Sequence, residues 1–98
     1  MPDKKHFFLK LNPPRQSFMI DMTDEERSIM QRHTEYWKQY VDNGTILVLG
    51  PVMAPNGGFG IAVAAVDNEN QINEIITNDP ANGLGNYEIY PMRAVTKQ

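Results

Sequence analysis

Two residues of this sequence, His33 and Asp79, have side chains of the types that carry out acid–base chemistry in proteins. His33 lies in a stretch with helical periodicity, on the side that is otherwise apolar. Asp79 follows a second predicted helix, where its carboxylate faces the negative end of the helix dipole. One hypothesis is that His33 is an acid or base in a pocket and that Asp79 orients its ring. The alternatives are a structural histidine and a turn-forming aspartate before Pro80.

Four further residues are candidates for binding a substrate. Arg15 follows two prolines that hold the chain stiffly, and its guanidinium is suited to binding a carboxylate through two hydrogen bonds. A solvated loop arginine is the alternative. Tyr36, Trp37 and Tyr87 are suited to lining a pocket for a small organic molecule, although aromatic residues at helical spacing are more often part of a core. His6, close to the N-terminus, is expected to be an exposed residue.

Several kinds of chemistry are not expected. The sequence has no cysteine, which excludes disulfides, thiol nucleophiles and thiolate metal sites. Its two histidines are far apart and lack a helix-paired spacing, so we expect no metal and no cofactor. The stretch Gly57-Gly58-Phe59-Gly60 leads into a predicted strand and not into a helix, so it does not form a phosphate-binding loop.

The composition is that of one globular domain spanning residues 1–98, with loosely ordered tails at 1–5 and 95–98. Hydrophobic residues make up 41% of the 98 residues and charged residues 21%. The formal net charge of −3 makes nucleic acid or an anionic membrane an unexpected partner. We find neither an apolar run long enough to span a membrane nor an export signal, and expect a cytoplasmic protein.

The strongest local signal is a helix from Thr23 to Asn43. Thr23 and Glu26 form a capping-box pattern, and the acidic first turn suits the positive end of the helix dipole. His33 lies in the centre of the apolar stripe. The stripe consists of Ile29, Met30, Tyr36, Trp37, Tyr40 and Val41.

The element order predicts an α+β fold of the ferredoxin-like βαββαβ type. It has a four-stranded antiparallel sheet with two helices on one face, and the third strand lies between the first and the second. A second helix is expected from Asp67 or Asn68 to about Asn78. The predicted strands are 6–12, 45–52, 59–66 and 87–90.

The second and third strands are apolar at both odd and even positions, which is typical of strands covered on both faces. Two helices cover only one face of four strands. We therefore predict a homodimer that packs sheet against sheet. Between the first strand and the first helix we predict a loop whose Phe18, Met19 and Ile20 fold back over another part of the chain.

Six motifs of the sequence, in this order and spacing, match one family: His33, Tyr36-Trp37, Gly50-Pro51-Val52, Gly57-Gly58-Phe59-Gly60, Asn78-Asp79-Pro80 and residues 87–92. With them the sequence resembles the YciI-like (YCII-related) proteins over about residues 6 to 95. The resemblance implies a dimeric α+β barrel and a cleft in which the helix histidine pairs with the aspartate of Asp-Pro, that is, His33 with Asp79. Related barrels include muconolactone isomerase-type enzymes, and some YciI-like proteins act in the breakdown of chlorinated aromatics. The segment after the first strand is longer than a minimal member needs and is expected to form a lid or pocket wall.

Three functions remain open at the level of sequence. The first is an enzyme that uses His33 and Asp79 for proton transfer, elimination or isomerisation on a small organic acid held by Arg15. The second is a non-catalytic module that binds a small ligand in the same cleft. The third is an interaction protein that acts through its dimer face, with His33 as a buried structural residue. Fold alone does not decide among them.

Overall fold

The computed structural model describes residues 4–96. Of the predicted tails, residues 1–3 and 97–98 lie outside this range, whereas Lys5 already pairs with Val66 in the sheet. The described residues form four strands and three helices. In chain order they are β1 (Lys5–Asn12), α1 (Phe18–Asp21), α2 (Asp24–Asp42), β2 (Ile46–Val52), β3 (Phe59–Val66), α3 (Glu69–Thr77) and β4 (Asn86–Met92).

The sheet confirms the predicted ferredoxin-like arrangement. All neighbouring strands are antiparallel, and the strand order is β2-β3-β1-β4, with β3 between β1 and β2. Side chains alternate between the two faces of a strand. Phe7 and Leu9 of β1 therefore point to the same side, and both are buried with Trp37 of α2 and Ile72 of α3. The main core accordingly lies between one face of the sheet and the two long helices.

Helix α2 begins and ends as its sequence predicts. The hydroxyl of Thr23 accepts from the backbone N–H of Glu26 at 3.1 Å, and the Glu26 carboxylate accepts from the backbone N–H of Thr23 at 2.9 Å. At the other end, Gly44 adopts φ 85°, a conformation that glycine takes without steric cost. These signals fix the register of the helix. They therefore also fix which face carries His33.

Helix α1 is a difference from the prediction, which had only a loop here. The backbone N–H groups of Ile20 and Asp21 both donate to the carbonyl oxygen of Ser17, closing one helical turn. A four-residue helix is too short to give a periodic hydrophobic signal. The expectation that this segment folds back is confirmed for Phe18, which is only 2% exposed, and is wrong for Ile20, which is 86% exposed.

The other face of the sheet carries an apolar row that crosses all four strands. In the observed register, Val48, Val63, Phe8 and Tyr90 lie side by side. We call these four residues the open-face row. Val48 is 50% exposed and Tyr90 49% exposed, so the single chain leaves this face largely uncovered.

Candidate functional site

Asp79 lies in the turn between α3 and β4, and its carboxylate points into the molecule. Helix α3 ends at Thr77, and the backbone N–H of Asp79 then donates to the carbonyl oxygen of Ile76. Proline at position 80 disfavours a helical conformation at Asp79, so the chain leaves the helix here. The Asp79 side chain is 0% exposed. A fully buried carboxylate needs hydrogen-bond donors around it.

Four donors surround this carboxylate, and we call them the donor cage. His33 Nδ1 lies 2.9 Å from Oδ1 and 3.0 Å from Oδ2, and Trp37 Nε1 donates to Oδ2 at 2.9 Å. The Tyr87 hydroxyl also donates to Oδ2. The backbone N–H of Ala81 donates to Oδ1 at 2.9 Å. The cage thus draws on α2, on β4 and on the turn itself.

The donor cage keeps Asp79 ionised. Burial alone would raise the pKa of Asp79, but the hydrogen bonds from His33, Tyr87, Ala81 and Trp37 outweigh it and hold that pKa below its ordinary value. Burial, together with the hydrogen bond to Asp79, raises the pKa of the Tyr87 hydroxyl. Tyr87 therefore keeps its proton and acts as a donor to the carboxylate.

The ionised carboxylate determines which nitrogen of His33 carries the proton. A carboxylate only accepts hydrogen bonds, so Nδ1 of His33 is the protonated nitrogen and, in the neutral ring, Nε2 carries the lone pair. Among residues 4–96, the contacts of the His33 ring nitrogens are those of Nδ1 with Asp79. Every buried side-chain N or O in this range has a partner, so Nε2 is an accessible atom. A histidine whose Nδ1–H is held by a carboxylate and whose Nε2 is accessible has the arrangement of an oriented general base.

His33 forms part of the wall of a cavity of about 360 Å³. The cavity lies between the sheet and α2, and its other walls come from α1 and from the loop after Asp79. Trp37 and Tyr87 also line it, and their rings pack with centroids 6.0 Å apart. Most of the remaining wall is apolar. It includes Leu9, Phe18, Met19, Met30, Leu49 and Leu84.

The β2–β3 hairpin holds α1 over the cavity. A Cβ at Gly58 would lie 2.8 Å from the side chain of Met19, and one at Gly57 would lie 2.7 Å from the carbonyl oxygen of Gln16. Gly57 also has φ 118°, a conformation that favours glycine. The two glycines therefore allow the segment before and within α1 to pack directly on the hairpin.

Arg15 is bound to carboxylates of its own chain. Its guanidinium donates to both oxygens of Glu26 at 2.8 Å, and to the side chain and backbone carbonyl of Asp21 at 2.9 Å. These contacts lower the pKa of Glu26 to about 2. Arg15 is not among the described residues that line the cavity. Arg15 thus links α1 to α2 by hydrogen bonds to a carboxylate of each helix. Its predicted role in substrate binding stays a prediction.

Tyr36, another predicted substrate contact, faces α3. Its hydroxyl donates to the carbonyl oxygen of Ile75 at 2.7 Å, and its ring packs edge-on against Trp37 with centroids 6.3 Å apart. Burial raises the pKa of this hydroxyl. Tyr36 therefore holds α2 against α3 and supports the donor cage from outside the cavity.

Three contacts of Asp79 were not predicted from sequence. One is the bond from the backbone N–H of Ala81, which closes the donor cage; the Asp-Pro-Ala pattern, in which an aspartate side chain accepts from the N–H two residues on, is the signal that indicates it. The others are the hydrogen bonds from Trp37 and Tyr87. The apolar stripe of α2 gave no indication of the bond from Trp37, because a tryptophan on such a stripe packs well without a polar partner.

We also searched residues 4–96 for other kinds of site. No three histidine, cysteine, aspartate or glutamate side chains in this range are grouped so that they could hold a metal ion. The helices within the same range are too short or too polar to cross a membrane.

Comparison with models of protein families identifies the family of this chain. A sequence model described as the YCII-related domain matches residues 6–96 of the chain. This range contains the whole donor cage and every residue named above as lining the cavity. No curated protein matches the sequence.

Proposed function

The chain belongs to the YCII-related domain family, and on that premise we propose that it is a small-molecule enzyme in which Nε2 of His33 exchanges a proton with a ligand in the cavity. The observation that carries this proposal is the contact between His33 Nδ1 and the buried Asp79 at the cavity wall. An oriented imidazole with an accessible Nε2 is able to accept a proton and return it. General acid–base catalysis of this kind typically contributes about 10²–10⁴-fold in rate.

Each member of the pair has a separate part in the proposed mechanism. Nε2 of His33 takes a proton from the ligand, and the ring becomes a cation. The carboxylate of Asp79, 2.9 Å behind the ring, stabilises that cation and holds the ring in place. Asp79 itself stays ionised because the other cage members, Trp37, Tyr87 and Ala81, continue to donate to it.

The reaction classes that need no further catalytic group are isomerisation and elimination. In isomerisation, the imidazolium returns the proton to a different carbon of the same molecule. In elimination, the electron pair of the broken C–H bond expels a leaving group on the neighbouring carbon. In both, His33 alone handles the proton. A small organic acid was the substrate expected from sequence, with Arg15 as the cation that binds it.

The tautomer of His33 tests this proposal directly. Long-range ¹H–¹⁵N NMR of the full chain at pH 8 distinguishes a ring protonated on Nδ1 from one protonated on Nε2. We expect the Nδ1-protonated form. A neutral ring protonated on Nε2 would overturn the mechanism, because its lone pair would then point at a carboxylate. His33→Gln identifies the signals, since the only other histidine is His6.

A second candidate function is a module that binds a small ligand without transforming it. The apolar character of most of the cavity wall favours this reading, since such a wall binds by shape and burial. It predicts a ligand that raises the melting temperature of both the wild type and His33→Ala, with no turnover by either. The proposed enzyme differs because its turnover is lost in His33→Ala.

We further propose that the chain acts as a homodimer that packs sheet against sheet. The open-face row offers a continuous apolar contact that the chain's own helices do not cover. A second copy presents the same row and is the simplest complement. Sedimentation velocity at micromolar concentration tests this, and a monomer there would contradict it.

A further inference from the structure

The charges around the cavity bear on which ligands it accepts. Five of the wall residues have side chains with hydrogen-bonding groups: Asn12, His33, Thr34, Trp37 and Tyr87. Among the described wall residues, His33 is the only one whose side chain can carry a positive charge. The wall therefore has no permanent cation within residues 4–96 to hold a carboxylate or a phosphate.

Arg15 does not supply that cation. Four of its N–H···O contacts go to Glu26 and Asp21. The charge of Arg15 is therefore already paired with two carboxylates of its own chain. The group of Arg15 with its two carboxylates carries a net negative charge. An anion in the cavity would thus find no compensating charge at this wall.

Asp79 adds to the penalty for an anionic ligand. Its buried carboxylate lies directly behind His33, so while the ring is neutral the site is already negative. A second negative charge in a mostly apolar enclosure is unfavourable both through repulsion and through lost hydration. A neutral ligand meets neither cost, and it gains from burying apolar surface.

We infer that the ligand of this cavity is an uncharged, largely apolar molecule with one weakly acidic proton, carried by a hydroxyl group or by a carbon next to a carbonyl. That proton faces Nε2 of His33, and the apolar remainder of the molecule packs among residues such as Phe18, Met30 and Leu84. This inference rests on the proposed function for the role of the proton. It replaces the organic acid expected from sequence by a neutral molecule. The cavity volume of about 360 Å³ is near the lower end of the range for ligand pockets.

A matched pair of probes tests the inference: 4-methylphenol, and 4-methylbenzoate in which a carboxylate replaces the hydroxyl. At about pH 7.5 the phenol is neutral and the benzoate is charged. Each is titrated into the ¹⁵N-labelled full chain, and shifts of backbone amides around the cavity report binding. We expect the phenol to bind at least about tenfold more tightly. Equal or tighter binding of the benzoate overturns the inference, and so does the absence of cavity shifts with the phenol at millimolar concentrations.

Three variants separate the effect of the missing cation from that of the apolar wall. Met30→Lys places a cation on the wall in a side chain of similar length, and we expect it to narrow or reverse the preference; Met30→Gln is its uncharged control. His33→Gln should retain the preference for the phenol, because the apolar wall remains. If that preference holds while the tautomer experiment fails, the ligand class stands and the proposed function falls. If the benzoate is preferred while the tautomer is as expected, the ligand class alone falls.

Discussion

Asp79→Asn preserves the shape of the carboxylate but removes its charge and half of its ability to accept hydrogen bonds. An asparagine can still accept from His33 and Ala81 through its single oxygen. Its NH₂ group then lies where Trp37 Nε1 and the Tyr87 hydroxyl now donate. The Tyr87 hydroxyl can turn to accept a hydrogen bond, but the indole N–H cannot. One buried donor is therefore left without a partner.

The size of the effect follows from these contacts. Stranding the indole N–H of Trp37 costs about 1–3 kcal/mol. The three remaining bonds lose their charge assistance, at roughly 1 kcal/mol each. The sum is about 4–6 kcal/mol, which overlaps the range of about 3–5 kcal/mol for breaking a buried ion pair. For a domain of this size it corresponds to a fall of roughly 16–48 °C in melting temperature.

Urea unfolding at pH 7, followed by the fluorescence of the single tryptophan, measures this loss. Asp42→Asn is a matched control, because Asp42 is exposed at the end of α2, and we expect its effect to stay within about 0.5 kcal/mol. A loss of less than about 1 kcal/mol for Asp79→Asn would refute the reasoning, since the donor cage would then not depend on the charge that it surrounds.

The same comparison has a predicted pH dependence. The pKa of Asp79 is lower in the folded chain than its ordinary value of 3.8. Its carboxylate therefore stabilises the fold above that ordinary value, and this contribution is lost as the pH falls through the folded-state pKa. We expect the difference in unfolding free energy between the wild type and Asp79→Asn to be constant near neutrality and to shrink below about pH 4.

Three further substitutions test other parts of the structure. Tyr87→Phe removes one donor from the cage and should cost about 1.5–3 kcal/mol in urea unfolding, with the other three donors retained. Gly85→Ala places a Cβ 2.0 Å from the carbonyl oxygen of Asn12; it should lower the unfolding free energy by about 1–3 kcal/mol or more through overpacking. The unfolding free energy of Glu26→Gln should differ from that of the wild type near neutrality. The two free energies should converge as the pH falls from 4.5 to about 2, where Glu26 loses its charge.

Each of these has a control or a contrary result. Gly50→Ala meets open space and should be milder than Gly85→Ala; equal effects would mean that the contact with Asn12 is not the cause. A Tyr87→Phe variant as stable as the wild type would show that the hydroxyl is dispensable to the cage. A Glu26→Gln difference that persists at pH 2 would point to packing and not to the charge.

The proposed dimer makes a prediction on the open-face row. Val48→Lys places a charge at one end of this row, on a side chain that is 50% exposed in the single chain, so the fold itself should tolerate it. We expect sedimentation velocity to show a monomer for this variant and a dimer for the wild type. Ile20→Lys, at an 86% exposed position on α1, is the control and should leave the dimer intact. A Val48→Lys dimer as stable as that of the wild type would contradict this packing.

The sequence was informative about features that depend on residues close together in the chain. The capping box of Thr23 and Glu26 and the glycine at position 44 determine where α2 begins and ends, and a 3.6-residue repeat then places His33 towards the core. Apolar runs and turn residues likewise give the strands. These signals depend on neighbours within a few positions, so one sequence is sufficient to read them.

The sequence was less informative where contacts span the chain. His33 and Asp79 are 46 residues apart, and their meeting depends on how α3 and its following turn pack against α2. The same limitation explains Trp37 and Tyr87, which were expected at a ligand and are also donors to Asp79. The partners of Arg15 are nearer in sequence, but α1 is too short to be predicted from periodicity, so the position of Asp21 was not foreseen.

The position of β1 in the sheet has a consequence for the order in which the protein assembles. β1 is the first strand of the chain, yet it pairs with the last one, as Asn12 does with Asn86. Pairings of such long sequence separation form late, because closing the intervening loop is costly in entropy. Tyr87 belongs to that last strand, so on a ribosome the carboxylate of Asp79 gains its full set of donors only once the end of the chain has emerged. The donor cage is then among the last parts of the protein to form.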